Sequence, residues 1–192
     1  MDALLGSLKA MMLNRKASSS GSKPSEVLKA LGLKRGQWVA DVGAGGGFFT
    51  FKFAEAVGES GKVFAVDTEK ELLDFIRKNA TRKGLVNIQV VHAPKDEVPL
   101  PEGSIDLIFM RNVYHHLENR VNYVKQLKRL LKPNGKIAII EYRKARHPLL
   151  LHGPLKHYVP REEIIKEMEE AGYRKHEEHD FLPEQSFIIF ST

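Results

Sequence analysis

The stretch Val39-Ala-Asp-Val-Gly-Ala-Gly-Gly-Gly-Phe-Phe-Thr50 decides the fold of this chain. An apolar strand runs into a glycine turn, and the turn opens a helix. Asp41, Gly43, Gly45 and Gly47 fall at alternate positions, so the backbone can turn sharply and approach a ligand where a Cβ atom would collide. The free N–H groups at the start of the following helix would face that ligand. The stretch therefore predicts a ligand-binding loop after the first strand.

Length and composition limit the class of protein. The 192 residues, 42% hydrophobic and 28% charged, suffice for one substantial core. No apolar run predicts a membrane span, and the first residues lack a secretory core, so we expect a soluble, cytoplasmic protein. The absence of cysteine excludes disulfides and thiolate chemistry. A net charge of +6 is more typical of a solvated surface than of a nucleic-acid footprint, so a nucleic-acid partner is disfavoured.

The N-terminal residues 1–23 are predicted to form a helix and a flexible linker that cover the site, and residues 24–192 form a single domain. Five apolar residues recur there at helical spacing: Leu4, Leu5, Leu8, Met11 and Met12. We expect this stripe to pack on the domain, in preference to a partner or a membrane, because the polar face carries few basic residues. The serine-rich residues 17–23 form the predicted linker.

Strands and helices alternate through most of the remaining chain. The predicted strands are 38–42, 62–67, 87–92, 105–111 and 136–142, and the predicted helices are 24–31, 47–57, 68–84 and 119–132. Thr68 and Glu71 have the spacing of a capping box for the third of these helices. Such alternation implies a parallel sheet with helices on both faces and ligands at the carboxyl ends of its strands. After a helix at 160–171, strands 173–181 and 185–191 have so short a link that they must pair antiparallel.

Two common ligands of glycine loops are disfavoured. Phe48 stands where a dinucleotide fingerprint has its third glycine, and the Gly-Lys-Ser/Thr of a phosphate-binding loop does not follow. Asp67 ends the second strand beside the glycine loop, where two carboxylate oxygens could accept hydrogen bonds from vicinal ribose hydroxyls. This acid makes a purely structural glycine turn the less favoured interpretation.

The pattern D-x-G-x-G-x-G at residues 41–47, with Asp67 closing the next strand and an antiparallel final hairpin, resembles the class I S-adenosylmethionine-dependent methyltransferases. Residues 99–106 and 112–117 also look like the small ubiquinone/menaquinone-biosynthesis-type (type 11) enzymes of that class. The resemblance covers nearly the whole chain from Pro24. It implies a Rossmann-like doubly wound α/β fold with seven strands, mostly parallel with an antiparallel C-terminal strand. It also implies S-adenosylmethionine as cofactor, S-adenosylhomocysteine as product and a small-molecule methyl acceptor.

The resemblance implies roles for individual residues as well. Residues 43–45 would lie against the methionine and ribose parts of the cofactor. Asp41 would orient its amino group, directly or through water, and Asp67 would bind the ribose hydroxyls. The cofactor-binding residues implied in all are Asp41, Gly43, Ala44, Gly45, Gly47, Asp67, Thr68, His92, Ala93, Arg111 and Asn112.

One departure from the family concerns the adenine contact. Many relatives have an aspartate before an alanine after the third strand, whereas this chain has His92-Ala93. Either the backbone of Ala93 or the nearby Asp96 would take over, or the adenine contact is weaker. Thr68 would lie beside the adenine, and Arg111 with Asn112 would line the methionine end.

Tyr114-His115-His116 lies where the acceptor would enter, and these are the candidate catalytic residues. Adjacent histidines point in different directions, so at least one is expected to be structural and the other to act as a general base. Methyl transfer from a sulfonium is an in-line displacement at carbon, so holding nucleophile and methyl in line is the main catalytic contribution. A base becomes useful only where the acceptor must lose a proton.

The loop between residues 143 and 159 carries His147, His152 and His157 at five-residue intervals. This is a poor spacing for a metal site, so no metal is predicted. We expect the loop to cover the acceptor pocket together with the N-terminal helix. Its basic residues, Arg143, Lys144 and Arg146, bind an anionic substrate group or face solvent.

Two further functions stay open. The basic N-terminal section fits an RNA or tRNA methyltransferase, although the fourth strand is not followed by the Asn/Asp-Pro-Pro-Tyr/Phe stretch of enzymes that methylate base amines. A non-catalytic protein that binds S-adenosylmethionine is the other alternative. The sequence carries no signal for the oligomeric state or for the atom that is methylated.

Overall fold

The computed structural model describes residues 2–143 and 159–192. Within these ranges, six α-helices alternate with seven strands. The helices are α1 (Asp2–Ala17), α2 (Pro24–Leu31), α3 (Phe48–Val57), α4 (Lys70–Lys83), α5 (Arg120–Leu130) and α6 (Arg161–Glu170). The strands are β1 (Trp38–Val42), β2 (Lys62–Asp67), β3 (Ile88–His92), β4 (Ile105–Arg111), β5 (Leu131–Tyr142), β6 (Arg174–His179) and β7 (Gln185–Ser191).

The seven described strands form one sheet in the order β3-β2-β1-β4-β5-β7-β6. The first five pair in parallel, and β7 pairs antiparallel with both β5 and β6. The strand order reverses between β1 and β4, so the carboxyl ends of these two strands leave a crevice between diverging loops. The predicted doubly wound fold with an antiparallel C-terminal strand is confirmed.

Apolar side chains fill both faces of the sheet. On one face α3 packs Phe49 and Phe53 against Phe109 of β4, with ring centroids 5.0 and 5.1 Å apart. The opposite face buries Ile108 and Met110 with side chains of α5 and α6. Because β1, β2 and β4 are covered on both sides, their sequences are apolar almost throughout, as is usual for buried parallel strands.

Two element boundaries differ from the sequence prediction. Helix α5 ends at Leu130, and β5 already begins at Leu131, where the prediction placed the strand at residue 136. Pro133 lies in the irregular part of β5, where its pairing with β4 shifts register, and a bulge tolerates the missing N–H of a proline. The capping box on Thr68 is also wrong. The N-cap of α4 is Glu69, which makes no side-chain cap hydrogen bond.

The N-terminal helix forms as predicted, but its apolar stripe does not pack on the domain. Leu4, Leu8 and Met12 are at least half exposed, whereas Gly6 and Ala10 are buried. The serine-rich segment, expected as a flexible linker, contains the short 3-10 helix Ser20–Ser22. The Ser22 side chain is buried and donates to the backbone oxygen of Lys16 at 2.7 Å.

Candidate active site

A cavity of about 730 Å³ lies at the carboxyl ends of β1, β2, β4 and β5. Its walls come from the loops that follow these strands and from the inner side of α1. Ligands of doubly wound sheets bind at this place, and cavities of this size are typical of small-molecule sites. The crevice is therefore the candidate active site.

All but three of the predicted site residues line this cavity. Those that line it are Asp41, Gly43, Ala44, Gly45, Asp67, Thr68, Ala93, Arg111, Asn112, His115 and His116. Gly47, His92 and Tyr114 are outside the lining. The structure thus brings most of the predicted site residues together at one cavity, and three of them lie outside its lining.

The glycine loop has the conformation that its sequence predicts. Gly43, Gly45 and Gly47 have positive φ angles of 74°, 56° and 82°. The backbone N–H groups of Gly43 and Ala44 both donate to the carbonyl of Val66, at 2.8 and 3.0 Å, so the loop is fixed against β2. A side chain on Gly43 would collide with Val113, because the loop after β4 approaches closely there.

Gly47 allows α3 and α4 to pack closely. It is the N-cap of α3, and a Cβ atom on it would come within 2.7 Å of Cγ1 of Ile76 on α4. The backbone of its neighbour Gly46 lines the cavity instead. The alternating glycine pattern does not indicate which glycine lines the cavity and which one allows close helix packing.

Asp41 is the last residue but one of β1 and is almost completely buried beneath the loop. Its Oδ2 atom accepts a hydrogen bond from the hydroxyl of Thr50 at 2.5 Å. Burial raises the pKa of Asp41 to about 7, and the charge of Asp67 adds to this rise, while the Thr50 bond opposes it. A buried carboxyl group of this kind is strongly stabilised in its ionised form by a cation placed beside it.

Asp67 ends β2 on the other side of the glycine loop. One carboxylate oxygen accepts the N–H of Gly45 at 2.8 Å, and the other accepts the N–H of Glu69 at 3.1 Å. Burial raises its pKa, and these two backbone bonds oppose the rise. Since a carboxylate has about four acceptor positions, each oxygen can accept a further hydrogen bond from a ligand.

Arg111 and Asn112 anchor the cavity wall after β4. The Arg111 Nη2 atom donates to Ser22 Oγ at 2.8 Å and to Gln185 Oε1 at 3.1 Å, and burial lowers the arginine pKa. Asn112 has a positive φ of 55°, and its side-chain oxygen accepts from Gln185 Nε2 at 2.6 Å. Both side chains thus hold β7 at the site, and Arg111 also holds the N-terminal segment through Ser22. Among the described residues, the buried Nε atom of Arg111 has no hydrogen-bond partner.

His92 and Thr68 meet beside the cavity. A ring nitrogen of His92 lies 3.1 Å from the carbonyl oxygen of Thr68, so the histidine braces the loop after β2. Ala93 lines the cavity in its place, together with Pro94 and Lys95.

Residues Tyr114–His116 form a single 3-10 turn after β4. With about three residues per turn, successive side chains point in three directions. Tyr114 points into the core, is fully buried and donates its hydroxyl to Glu167 at 2.8 Å. Burial, with the carboxylate of Glu167, raises the tyrosine pKa far above its ordinary value. The Tyr114 hydroxyl thus faces Glu167 and not the cavity, and a catalytic role for Tyr114 stays a prediction.

His115 and His116 both line the cavity, with ring centroids 4.0 Å apart. The Nδ1 atom of His115 lies 2.9 Å from Oε2 of Glu141, the last residue but one of β5, which is fully buried. The backbone N–H of Tyr142 donates to the other oxygen of Glu141 at 3.0 Å. No lysine or arginine pairs with Glu141 among residues 2–143 and 159–192, and His115 is the basic side chain at ion-pair distance from it.

The sequence prediction missed Glu141 and the inner face of α1. Glu141 repeats the signal that identified Asp67, an acid at the end of an apolar strand, and could have been found by it. No pattern in the sequence indicated that Asn14 of α1 contacts the site. Its side chain donates to the carbonyl of Gly46 at 2.8 Å and accepts from the N–H of Phe48 at 3.0 Å, which joins α1 to the glycine loop.

Other predictions fall partly outside the described residues. Arg143 is exposed at the end of β5, whereas Lys144, Arg146 and the histidines 147, 152 and 157 lie in the range that the structure does not describe. No group of three metal-binding side chains is present in residues 2–143 and 159–192. In the same two ranges, no helix is long and apolar enough to cross a membrane.

A family model described as a methyltransferase domain matches residues 33–182. Among curated proteins, the chain is 30% identical over 126 residues to the ubiquinone/menaquinone biosynthesis C-methyltransferase UbiE of Pseudoalteromonas translucida, covering 65% of this chain and 50% of that protein. The corresponding protein of Cronobacter sakazakii is 32% identical over 114 residues, covering 59% of this chain and 45% of that protein. The chain spans about half the length of these relatives.

Solved structures of methyltransferases are also similar to this chain. A SAM-dependent methyltransferase from Aquifex aeolicus superimposes with a TM-score of 0.81 at 29% identity, covering 94% of this chain and 97% of that one. A putative type 11 methyltransferase from Sulfolobus solfataricus superimposes with a TM-score of 0.69 at 20% identity, covering 88% and 90% of the two chains, and supports the fold alone.

Proposed function

Because the chain belongs to the methyltransferase domain family, we propose that it transfers the methyl group of S-adenosylmethionine to a small-molecule acceptor and releases S-adenosylhomocysteine. The observation that carries this proposal is the placement of two acids, the buried Asp41 and the partly buried Asp67, on either side of one glycine loop. The glycine loop alone would fit many ligands.

The donor fits the cavity by charge and by shape. S-adenosylmethionine, when bound, supplies a methyl group on a positively charged sulfur and carries an amino group that Asp41 would hold. Asp67 would accept hydrogen bonds from the ribose hydroxyls, since its oxygens keep acceptor positions beyond the two that Gly45 and Glu69 fill. The backbone of residues 43–46 would lie against the middle of the molecule, where side chains would block it.

Thr68, Ala93 and the adjoining Pro94 form the part of the cavity beyond Asp67, and we assign this part to the adenine. Gly47 and His92 are left out of the cofactor contacts because neither lines the cavity. Arg111 and Asn112 act indirectly, by fixing the wall against Gln185.

On the acceptor side, we assign His115 as the general base. The buried Oε2 atom of Glu141 lies at ion-pair distance from Nδ1, so its charge would favour a proton on that nitrogen and leave the Nε2 atom as the one that accepts a proton. The buried carboxylate would then stabilise the imidazolium that forms. Such a base is needed only for an acceptor that loses a proton, such as a phenol or an activated carbon. The curated relatives are named as C-methyltransferases, which favours this class of acceptor for the present chain.

A cytoplasmic location stays a prediction. No observation favours a nucleic-acid acceptor over a small molecule.

The proposal is tested by incubating the protein with methyl-labelled S-adenosylmethionine and a metabolite extract. We expect label in a low-molecular-weight product, with S-adenosylhomocysteine formed in equal amount. Label in RNA that ribonuclease releases would assign the protein to RNA methylation instead. Cofactor binding without any transfer, across extracts of varied origin, would favour the non-catalytic alternative.

A further inference from the structure

The outer face of α1 is the largest concentration of exposed apolar side chains in the described residues. Six large hydrophobic side chains are prominently exposed in these ranges, and five of them belong to this helix. Their exposed fractions are Leu4 67%, Leu5 59%, Leu8 52%, Met11 50% and Met12 64%. Their spacing places them along one side of the helix, so they form a single surface, which we call the outer face of α1.

The packing of the opposite side fixes this orientation. Gly6 meets α4 so closely that a Cβ atom would come within 2.5 Å of the Cβ atom of Glu71. Ala10 is buried, and its carbonyl oxygen touches Gly46. Asn14 exchanges two hydrogen bonds with the backbone of the glycine loop. Rotating the helix to bury its leucines would break these contacts, so the apolar side chains are held outward.

The charged residues of α1 indicate which kind of partner fits its outer face. Between Leu4 and Lys16 the charged residues are Lys9, Arg15 and Lys16, and acids are absent from this stretch of sequence. All three bases are exposed, and Lys9 pairs with Glu69 of the neighbouring helix. The outer face of a second copy would offer no acid to pair with Arg15 and Lys16, since its five side chains are all apolar. An anionic lipid surface accepts both the apolar side chains and the basic ones.

We propose that the outer face of α1 docks on the surface of an anionic lipid bilayer, with the helix lying in the plane of the interface. The inference is independent of the proposed function. Sixteen residues give a helix about 24 Å long, sufficient for interfacial binding. Leu13, Asn14 and Ala17 of the same helix border the cavity, so docking would bring the candidate site next to the bilayer.

The test is flotation of the full-length protein with phosphatidylcholine vesicles that contain or lack phosphatidylglycerol. We expect binding to the anionic vesicles to be at least about tenfold stronger than to the zwitterionic ones, since each basic residue near the surface contributes about 1 kcal/mol. The double variant Leu8→Gln, Met12→Gln should bind at least about tenfold more weakly because two apolar side chains are lost from the interface. Both positions are exposed, so the variant should fold.

Val86→Gln is the matched control. Val86 is 79% exposed but lies outside α1, so its replacement should leave vesicle binding unchanged. The proposal fails if the wild-type protein does not float with anionic vesicles, or if the α1 and Val86 variants behave alike. It also fails if sedimentation finds a dimer that Leu8→Gln, Met12→Gln dissociates while vesicles bind neither protein, which would assign this face to a second copy.

Discussion

The Nδ1 atom of His115 lies 2.9 Å from Oε2 of Glu141, a fully buried carboxylate at the end of β5. Two neighbouring parallel strands bring them together, because the 3-10 turn that carries His115 follows β4 and Glu141 lies one residue before the end of β5. This contact is the reason why His115 is proposed as the general base.

Glu141→Gln tests this pairing. Since a neutral amide stabilises the imidazolium less and can donate to Nδ1, where the carboxylate only accepts, we expect turnover to fall roughly 10- to 100-fold, with the affinity for S-adenosylmethionine unchanged. The nitrogen chemical shifts of His115 should show the tautomer changing. Glu167→Gln is the matched control, because that carboxylate pairs with Tyr114 and Arg120 outside the cavity. Equal turnover in wild type and Glu141→Gln would remove Glu141 from the mechanism.

A second prediction concerns pH. Burial raises the pKa of Asp41 to about 7 from its ordinary value of 3.8, so the folded protein keeps this proton at pH values where the unfolded chain has lost it. Stability therefore falls as the pH rises from about 4 to about 7, by up to about 4 kcal/mol from this group. Asp41→Asn carries no such proton and should lack this part of the pH dependence.

Chemical denaturation of both ligand-free proteins across that pH range provides the measurement. The free energy of unfolding of the wild type should decrease relative to that of Asp41→Asn as the pH rises. Asp74→Asn, at an exposed position on α4, should follow the wild type. Parallel curves for wild type and Asp41→Asn would contradict the raised pKa.

The third prediction concerns the contact between α1 and the glycine loop. A Cβ atom on Gly46 would collide with the carbonyl oxygen of Ala10 and the side chain of Asn14. We expect Gly46→Ala to destabilise the protein by about 1–3 kcal/mol and to raise hydrogen exchange along α1. Gly21→Ala is the control, since nothing lies within 4 Å of the point where its Cβ atom would stand. Similar exchange in the two variants would show that α1 is not seated on the loop.

The sequence predicts the sheet well because the buried parallel strands are short apolar runs that alternate with helical patterns. The position of the site follows from the parallel order of the strands. Residues that end parallel strands share one edge, so the sequence alone places Asp41, Asp67 and the loop after β4 together.

Other features depend on distances that a sequence pattern does not contain. The stripe on α1 predicted the wrong buried face, because the small residues Gly6 and Ala10 allow closer packing than the leucines would. The register of the turn after β4 decides that Tyr114 faces the core while His115 faces the cavity. The start of β5 before Pro133 depends on a bulge opposite β4.

The central claim is that the crevice between β1 and β4 binds S-adenosylmethionine through Asp67. Calorimetric titration of the purified protein with S-adenosylmethionine tests it most directly. We expect one site per chain, an affinity at least about tenfold weaker in Asp67→Ala because hydrogen bonds to a carboxylate are lost, and an unchanged affinity in Asp74→Ala. Absence of binding to the wild-type protein, or equal affinity in wild type and Asp67→Ala, would contradict the claim.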